Sequence, residues 1–162
     1  MVRDANFADI PAMVAVLYAG YLKSHYAGDD RVEFDVREAK RLLMQAIQRH
    51  GHLTGGGTWV QVAESNGTVT GLIVGTLSRV YAIGTRLMAT DLFWVACDDV
   101  DPLDPARLMR NMMAWARSNP DVIEVKCGTT AIIRDDPAAA GVILERLGMK
   151  QYGNIYRMDT RL

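Results

Sequence analysis

The segment from Thr90 to Ala116 constrains the fold most, because a strand pattern leads through a short bend directly into a helix pattern. An apolar run, Asp91 to Ala96, precedes an aspartate-rich bend. Apolar residues then recur at helical spacing at Leu108, Met109, Met112, Met113 and Ala116. Asn119-Pro120 ends this helix, and the buried-strand pattern Val122 to Cys127 follows. Such a strand-helix-strand unit predicts two parallel strands.

Periodicity and turn residues predict the remaining elements. Asn66-Gly67 predicts a tight hairpin, and Asp9 is the predicted N-cap of the first helix, with Pro11 in its first turn. The other predicted elements are a strand at Val2 to Asp4, helices after Asp9 and Asp35, strands at Thr58 to Glu64, Val69 to Arg79 and Met88 to Ala96, a helix from Pro137 to Gly148, and short strands at Met149 to Tyr152 and Ile155 to Thr160. The order β-α-α-β-β-β-α-β-α-β-β predicts an α+β fold with a mixed, mostly antiparallel sheet flanked by helices.

Composition limits the classes of protein to consider. With 162 residues, 49% of them hydrophobic, the chain suits one domain over residues 1–162. A formal net charge of −1 excludes the basic field that drives non-specific nucleic-acid binding. The longest apolar run, Ile10 to Leu22, is shorter than the roughly 20 residues of a membrane span, so we expect a cytoplasmic protein without a membrane partner.

Neither the cysteines nor the histidines form a metal motif. Cys97 and Cys127 are too far apart for a CxxC motif, and we expect both to be reduced core thiols. His50-Gly51-His52 lacks a third ligand at recognisable spacing, so this segment is predicted to be a flexible loop.

The bend between the strand and the helix is a candidate anion site. A helix that starts directly after a strand has free backbone N–H groups, and its dipole favours a phosphate there. The bend nevertheless contains no glycine and carries four carboxylates, Asp98, Asp99, Asp101 and Asp104, which would repel an anion. The residues alone therefore leave open whether this junction binds a phosphate.

Several short sequence motifs at the ends of the predicted elements are typical of one protein family. These are Val2 to Ala5 with Asp9 to Pro11, then Ala63 to Gly71, and finally Leu144 to Met149. Together with the order of elements they resemble the GNAT superfamily of acyl-coenzyme A-dependent N-acyltransferases over nearly the whole chain. Two further phrases, Lys23 to Ala27 and Ala89 to Phe93, are similar to a branch of that superfamily found in bacteria and phages.

The resemblance implies that the junction is a loop for the coenzyme A pyrophosphate. With Ala96 at the position of the family's strand valine, Asp101 takes the Arg/Gln position, and Asp104 and Ala106 take the two glycine positions. The loop length fits, but only Ala106 matches the family pattern. The implied contacts to acetyl-CoA come from Trp94, Val95, Ala96, Leu103, Asp104, Ala106 and Arg107.

The resemblance also implies candidate catalytic residues. Asp91 stands where some members carry an acidic base, and His25 and Tyr26 follow the first helix in a region that shapes the acceptor pocket. Leu144 occupies the place from which the family often supplies a tyrosine acid, and leucine cannot donate a proton. Asp91, His25 and Tyr26 are therefore the predicted catalytic residues.

Three functions follow for comparison. The first is transfer of an acyl group, expected to be acetyl, from coenzyme A to a primary amine of a small molecule or peptide. The second is a GNAT-like binding or structural module that has lost the coenzyme, as the acidic loop and Leu144 suggest. The third, nucleic-acid modification, lacks a basic stripe with interleaved aromatic residues. The sequence does not determine the oligomeric state, and a homodimer is one of the alternatives.

Overall fold

The computed structural model describes residues 1–128 and 137–161, which form one five-stranded sheet with two helices on each face. In chain order the elements are β1 (Val2–Asp4), α1 (Ile10–Leu22), α2 (Val36–Gln48), β2 (Thr58–Ser65), β3 (Thr68–Arg79), β4 (Leu87–Ala96), α3 (Asp104–Arg117), β5 (Val122–Lys126) and α4 (Pro137–Arg146). The strands lie in the order β1-β2-β3-β4-β5, and every neighbouring pair is antiparallel except β4 with β5. The predicted fold class is therefore confirmed.

The sheet divides the interior into two cores. Because side chains alternate across a strand, Val95 faces the core under α1 and α2, whereas Trp94 faces the core under α3 and α4. Leu144 of α4 is buried in the second core. Among the described helices none is both long and apolar enough to cross a bilayer.

The hairpin between β2 and β3 forms as predicted. Asn66 and Gly67 both have positive φ angles, 51° and 78°, as a two-residue type I′ turn requires. Ser65 pairs with Thr68, which confirms the antiparallel register set by the turn.

Asp9 is the N-cap residue of α1, as predicted, but its side chain makes no capping hydrogen bond to that helix. Its carboxylate instead accepts two 2.8 Å hydrogen bonds from Arg3 and one of 2.8 Å from the Asn6 amide. A neighbouring cation binds a carboxylate more strongly than a single backbone N–H does, so Arg3 holds the side chain of Asp9 away from the N–H groups of α1.

The two predicted C-terminal strands are wrong. Residues 149–158 have no regular secondary structure, so the α+β order ends with α4. A strand forms only against a partner edge, and the alternation of residues at Met149–Tyr152 and Ile155–Thr160 does not specify one.

Gly75 of β3 permits α3 to pack directly on the sheet. A Cβ atom at this position would lie 2.5 Å from the sulfur and 2.8 Å from the Cγ of Met112, a fully buried side chain of α3. Because a packed core resists added volume, even one methyl group must displace Met112.

We therefore predict that Gly75→Ala lowers the free energy of unfolding by about 1–3 kcal/mol in urea titrations. The control is Gly28→Ala, because nothing lies within 4 Å of a Cβ atom at Gly28. Equal unfolding midpoints for the two variants would contradict the close packing of α3 on β3.

Candidate functional site

Strands β4 and β5 form a fork at the carboxyl end of the sheet. Their parallel pairing runs from Leu87 to Thr90 on β4 and ends at the pair of Thr90 with Lys126. Beyond this pair β4 continues to Ala96, and no described residue of β5 pairs with it there. We define the fork as the space beside Asp91–Ala96 on the β5 side of β4, where no described residue pairs with the edge of β4.

A β-bulge accompanies the opening of the fork. Val74 pairs with Phe93 and Gly75 pairs with Asp91, so Leu92 is an extra residue on β4. A bulge bends its strand and increases the local twist. The bulge therefore accounts for the departure of β4 from β5 at this point.

The hydrogen-bond pattern shows which backbone groups of β4 face the fork. The Cys97 amide donates to the Thr70 carbonyl at 2.7 Å, so the backbone of Cys97 is turned toward β3. Groups alternate along an antiparallel pair, which turns Val95 toward β3 and Trp94 and Ala96 toward the fork. Of the three predicted strand contacts, only Trp94 and Ala96 thus present their N–H groups to the fork.

Asp91 lies at the start of the fork and is half-buried. Its carboxylate accepts a 3.2 Å hydrogen bond from the Gly128 amide and interacts with the thiol of Cys127. Burial raises the pKa of Asp91, and these hydrogen bonds only partly offset the effect. The carboxyl group is therefore easier to protonate than an exposed aspartate.

The sequence did not indicate that Cys127 lies beside Asp91. Burial, followed by the charge of Asp91, raises the pKa of the Cys127 thiol, so this cysteine stays protonated and is a weak nucleophile. The parallel pairing of β4 with β5 was the available signal, because it brings the residues that follow β5 next to the middle of β4.

The loop before α3 uses most of its own N–H groups. The Leu103 amide donates to the Asp101 side chain at 2.9 Å, and the Asp104 amide donates to the Asp101 carbonyl at 2.9 Å. The Arg107 amide donates to the Leu103 carbonyl at 3.0 Å. Pro102 and Pro105 have no N–H group. Ala106 also has an amide in this segment, and none of the described residues supplies a backbone acceptor for it.

Asp104 points into the protein rather than toward the predicted anion site. Its side chain is 1% exposed and binds Arg107 at 2.8 Å and the Met1 amino nitrogen at 3.0 Å. Burial raises the pKa of Asp104, but the hydrogen bonds from these two cations outweigh burial and hold it below its usual range. Asp104 is thus an ionised anchor for the start of α3.

The loop after α1 approaches the same end of the sheet. Lys23 binds Asp98 of the loop before α3 at 2.5 Å. His25 and Tyr26 follow Lys23, are exposed, and have ring centroids 4.0 Å apart. No hydrogen bond or ring contact between described residues joins them to Asp91, so the structure does not bring the three predicted catalytic residues into contact.

The sheet order and the helix pairs match a GNAT-like fold, and solved structures share this fold over nearly the whole chain. A ribosomal-protein-alanine N-acetyltransferase from Brucella melitensis has a TM-score of 0.69 at 21% identity, covering 94% of this chain and 86% of its own. Glucosamine-6-phosphate N-acetyltransferase from Arabidopsis thaliana has a TM-score of 0.69 at 12% identity, and the match covers 99% of this chain and 97% of that protein. A predicted acetyltransferase with acetyl-CoA from Clostridium acetobutylicum has a TM-score of 0.67 at 10% identity, and the match covers 98% of this chain and 95% of that protein. The sequence matches no protein-family model and no curated protein.

We predict that Asp104→Asn lowers the free energy of unfolding by about 1–3 kcal/mol at pH 7, because it removes the charge that binds Arg107. Since the folded state lowers the pKa of Asp104, this stabilisation is present above the ordinary aspartate pKa and is lost as the pH falls through the lowered one. In urea titrations below about pH 4, the free energies of unfolding of Asp104→Asn and of the unmodified chain should therefore become more similar.

The matched control is Asp99→Asn, which removes an exposed carboxylate from the same loop. A loss of stability at Asp99 equal to that at Asp104 would show that the charge of the loop, and not the buried ion pair, matters.

Proposed function

We propose that the chain is an acyl-coenzyme A-dependent N-acyltransferase that moves an acyl group, acetyl in the first instance, to a primary amine of a small molecule or peptide. The observation that carries the proposal is the fork, where open backbone N–H groups lie on the same strand as a half-buried carboxylate. We place the activity in the cytoplasm, in keeping with the two free cysteines, Cys97 and Cys127.

The fork fits the acyl-bearing arm of coenzyme A. This pantetheine arm contains two amide groups, and an open strand edge offers amides the same hydrogen bonds that a neighbouring strand would. The N–H groups of Trp94 and Ala96 are the donors on that edge. One of them can also bind the oxygen of the thioester carbonyl, where negative charge develops during the reaction.

Asp91 supplies the base in the proposed reaction. A protonated amine first loses one proton to water; its nitrogen then attacks the thioester carbon, a C–N bond forms, and the carboxylate of Asp91 takes the second proton that the nitrogen loses. The C–S bond then breaks and the thiolate of coenzyme A leaves. Leu144 is buried and apolar, so in this proposal water protonates the thiolate.

In this proposal, fewer groups of the protein are available to bind the diphosphate of coenzyme A than to bind its pantetheine arm. No described residue supplies a backbone acceptor for the Ala106 amide, and Arg107 and Arg110 are exposed in the first turns of α3. Arg107 already binds Asp104 and lies 3.9 Å from Asp101, and the same loop carries two further carboxylates, Asp98 and Asp99. We therefore assign the diphosphate to the Ala106 amide and to Arg110, with Arg107 as a shared partner.

A second candidate function rests on the same loop. Because the amides of Leu103, Asp104 and Arg107 are satisfied within the protein, the loop is stable without an anion. This observation favours a GNAT-like binding module that has lost the coenzyme. The two functions differ in a measurable way, since only the enzyme binds acyl-coenzyme A.

We predict that the chain binds acetyl-CoA in titration calorimetry and that Ala106→Glu weakens binding at least about tenfold, because it places a carboxylate where the diphosphate is expected. The matched control is Ala114→Glu, which adds the same charge to an exposed position farther along α3.

Retained binding by Ala114→Glu is expected alongside the loss in Ala106→Glu. Absence of both binding heat and a thermal shift for the unmodified chain would refute the enzyme for this donor and favour the module. Equal binding by both variants would place the diphosphate elsewhere.

We also predict that Asp91→Asn lowers kcat about 100- to 10,000-fold while acetyl-CoA binding is unchanged. The assay follows thiol release with an acceptor found by screening polyamines, amino sugars and peptides. Because the base acts ionised and burial raises the pKa of Asp91, kcat/KM should fall with decreasing pH at values above the ordinary aspartate range. This acidic limb should be missing from the profile of Asp91→Asn.

Asp121→Asn is the matched control, because Asp121 is an exposed carboxylate at the other end of β5. Unchanged kcat in Asp91→Asn would exclude Asp91 as the base and leave His25 and Tyr26 as candidates.

A further inference from the structure

Asp91 and Cys127 lie side by side on neighbouring strands. The last parallel pair of β4 and β5 joins Thr90 to Lys126, so the residues that follow it on the two chains are Asp91 and Cys127. The next amide, that of Gly128, donates to the Asp91 carboxylate at 3.2 Å. The two side chains are therefore neighbours at the point where the fork opens.

Both side chains lie on the face of the sheet that α3 covers. Asp91 pairs with Gly75, and a Cβ atom at Gly75 would point at Met112 of α3. Residues directly opposite each other in an antiparallel pair share one face. Cys127 lies on this face too, because its sulfur is 3.4 Å from the sulfur of Met109 of α3. The thiol of Cys127 thus has two neighbouring acceptors, a carboxylate and a thioether.

The thiol can serve only one of these acceptors at a time, because it has a single proton. An ionised carboxylate is a much stronger acceptor than the thioether of Met109. Protonation of the carboxylate removes its charge and therefore this preference. Burial keeps the Cys127 thiol protonated by raising its pKa, so the thiol acts as a donor and not as a base.

We propose that Cys127 is a positioning residue for Asp91: its S–H group donates to the ionised carboxylate and turns to the sulfur of Met109 when Asp91 takes a proton. The inference rests on the proposed function in one respect, the role of Asp91 as the base. No bond to Cys127 forms or breaks, because the proton that the amine nitrogen loses goes to the carboxylate and the thiol proton stays on its sulfur. Together with the Gly128 amide, the thiol fixes the orientation of the ionised carboxylate.

The groups around Asp91 leave the thiol a measurable influence. Among the described residues, the hydrogen bonds to Asp91 come from the Gly128 amide, its own amide and the Cys127 thiol. The neighbours from α3 and β3, two methionines and a glycine, are uncharged, and Lys126 binds Glu124 at 3.3 Å. Burial raises the pKa of Asp91 and the thiol opposes that effect. Loss of the thiol should therefore raise the pKa further.

Carbon-13 NMR of the Asp91 carboxyl group, followed against pH, tests this hydrogen bond without any need for activity. Cys127→Ala should raise the pKa of Asp91 by about 0.5–1, because it removes a donor to the ionised form. Cys127→Ser keeps a donor and should leave the pKa close to that of the unmodified chain. The matched control is Cys97→Ala, which should not move the pKa of Asp91, since Cys97 packs in the core on the other face of the sheet.

The infrared S–H stretching band tests the turn of the thiol. In the Cys97→Ala chain Cys127 is the only cysteine, so the position of this band should change as Asp91 titrates. In a chain that also carries Asp91→Asn the band should not depend on pH. Met109→Leu keeps a similar volume without the sulfur, so it should alter the band only at low pH, where Asp91 is protonated.

Activity supplies a separate measurement. In Cys127→Ala the acidic limb of kcat/KM should move to higher pH by the same amount as the pKa, whereas kcat on the alkaline plateau should stay close to that of the unmodified chain. A cysteine that only fills the core would lower the free energy of unfolding and leave this limb in place.

An unchanged pKa of Asp91 in Cys127→Ala would overturn the proposal, as would equal changes in Cys127→Ala and Cys127→Ser. An S–H band that does not respond to the titration of Asp91 would overturn the turn toward Met109. A chain that neither binds nor uses acetyl-CoA, but whose Asp91 pKa moves as expected, would refute the proposed function and retain the hydrogen bond between Cys127 and Asp91.

Discussion

The extra residue Leu92 in β4 is the constraint on which the rest of the candidate site depends. It stands between the pairs Val74–Phe93 and Gly75–Asp91, and the resulting bulge accompanies the departure of β4 from β5. At the same level Gly75 leaves room for Met112, so α3 packs against the strand beside the bulge. One irregular residue therefore relates the position of the open strand edge to the position of the helix that follows it.

The loop before α3 resolves an electrostatic conflict inside the protein. A helix N-terminus favours negative charge, and here the carboxylate of Asp104 supplies that charge from within, paired with Arg107. The side chain of Asp101 then satisfies the Leu103 amide. A hydrogen bond to a charged group contributes roughly 1.5–3 kcal/mol. Each amide that donates to an acceptor within the loop therefore lowers the affinity for an external anion about tenfold or more. Tight binding of coenzyme A would then depend on the fork more than on the loop.

Local patterns predicted the parts of the fold that short stretches of chain determine. The helical spacing from Leu108 to Ala116 and the Asn66-Gly67 turn each specified an element and its orientation. What depended on distant partners was missed. Arg3 binds the side chain of Asp9, the Gly128 amide after the neighbouring strand β5 binds Asp91, and residues 149–158 form no strand. The position of Asp91, Trp94 and Ala96 on one strand was predictable, but the bulge that separates them from β5 required the pairing itself.

The acidic residues of the loop have opposite effects on the two proposed substrates. Asp99 and Asp101 are exposed at the end of the strand that carries Asp91, so their field repels the diphosphate of coenzyme A. The same field attracts a protonated amine, within a screening length of about 8–10 Å at physiological salt. Added salt should therefore weaken the repulsion of the donor and the attraction of the acceptor together. The acidic loop weakens binding of the coenzyme. Because the same charges attract a protonated amine, the loop is compatible with an enzyme whose acceptor is a cation.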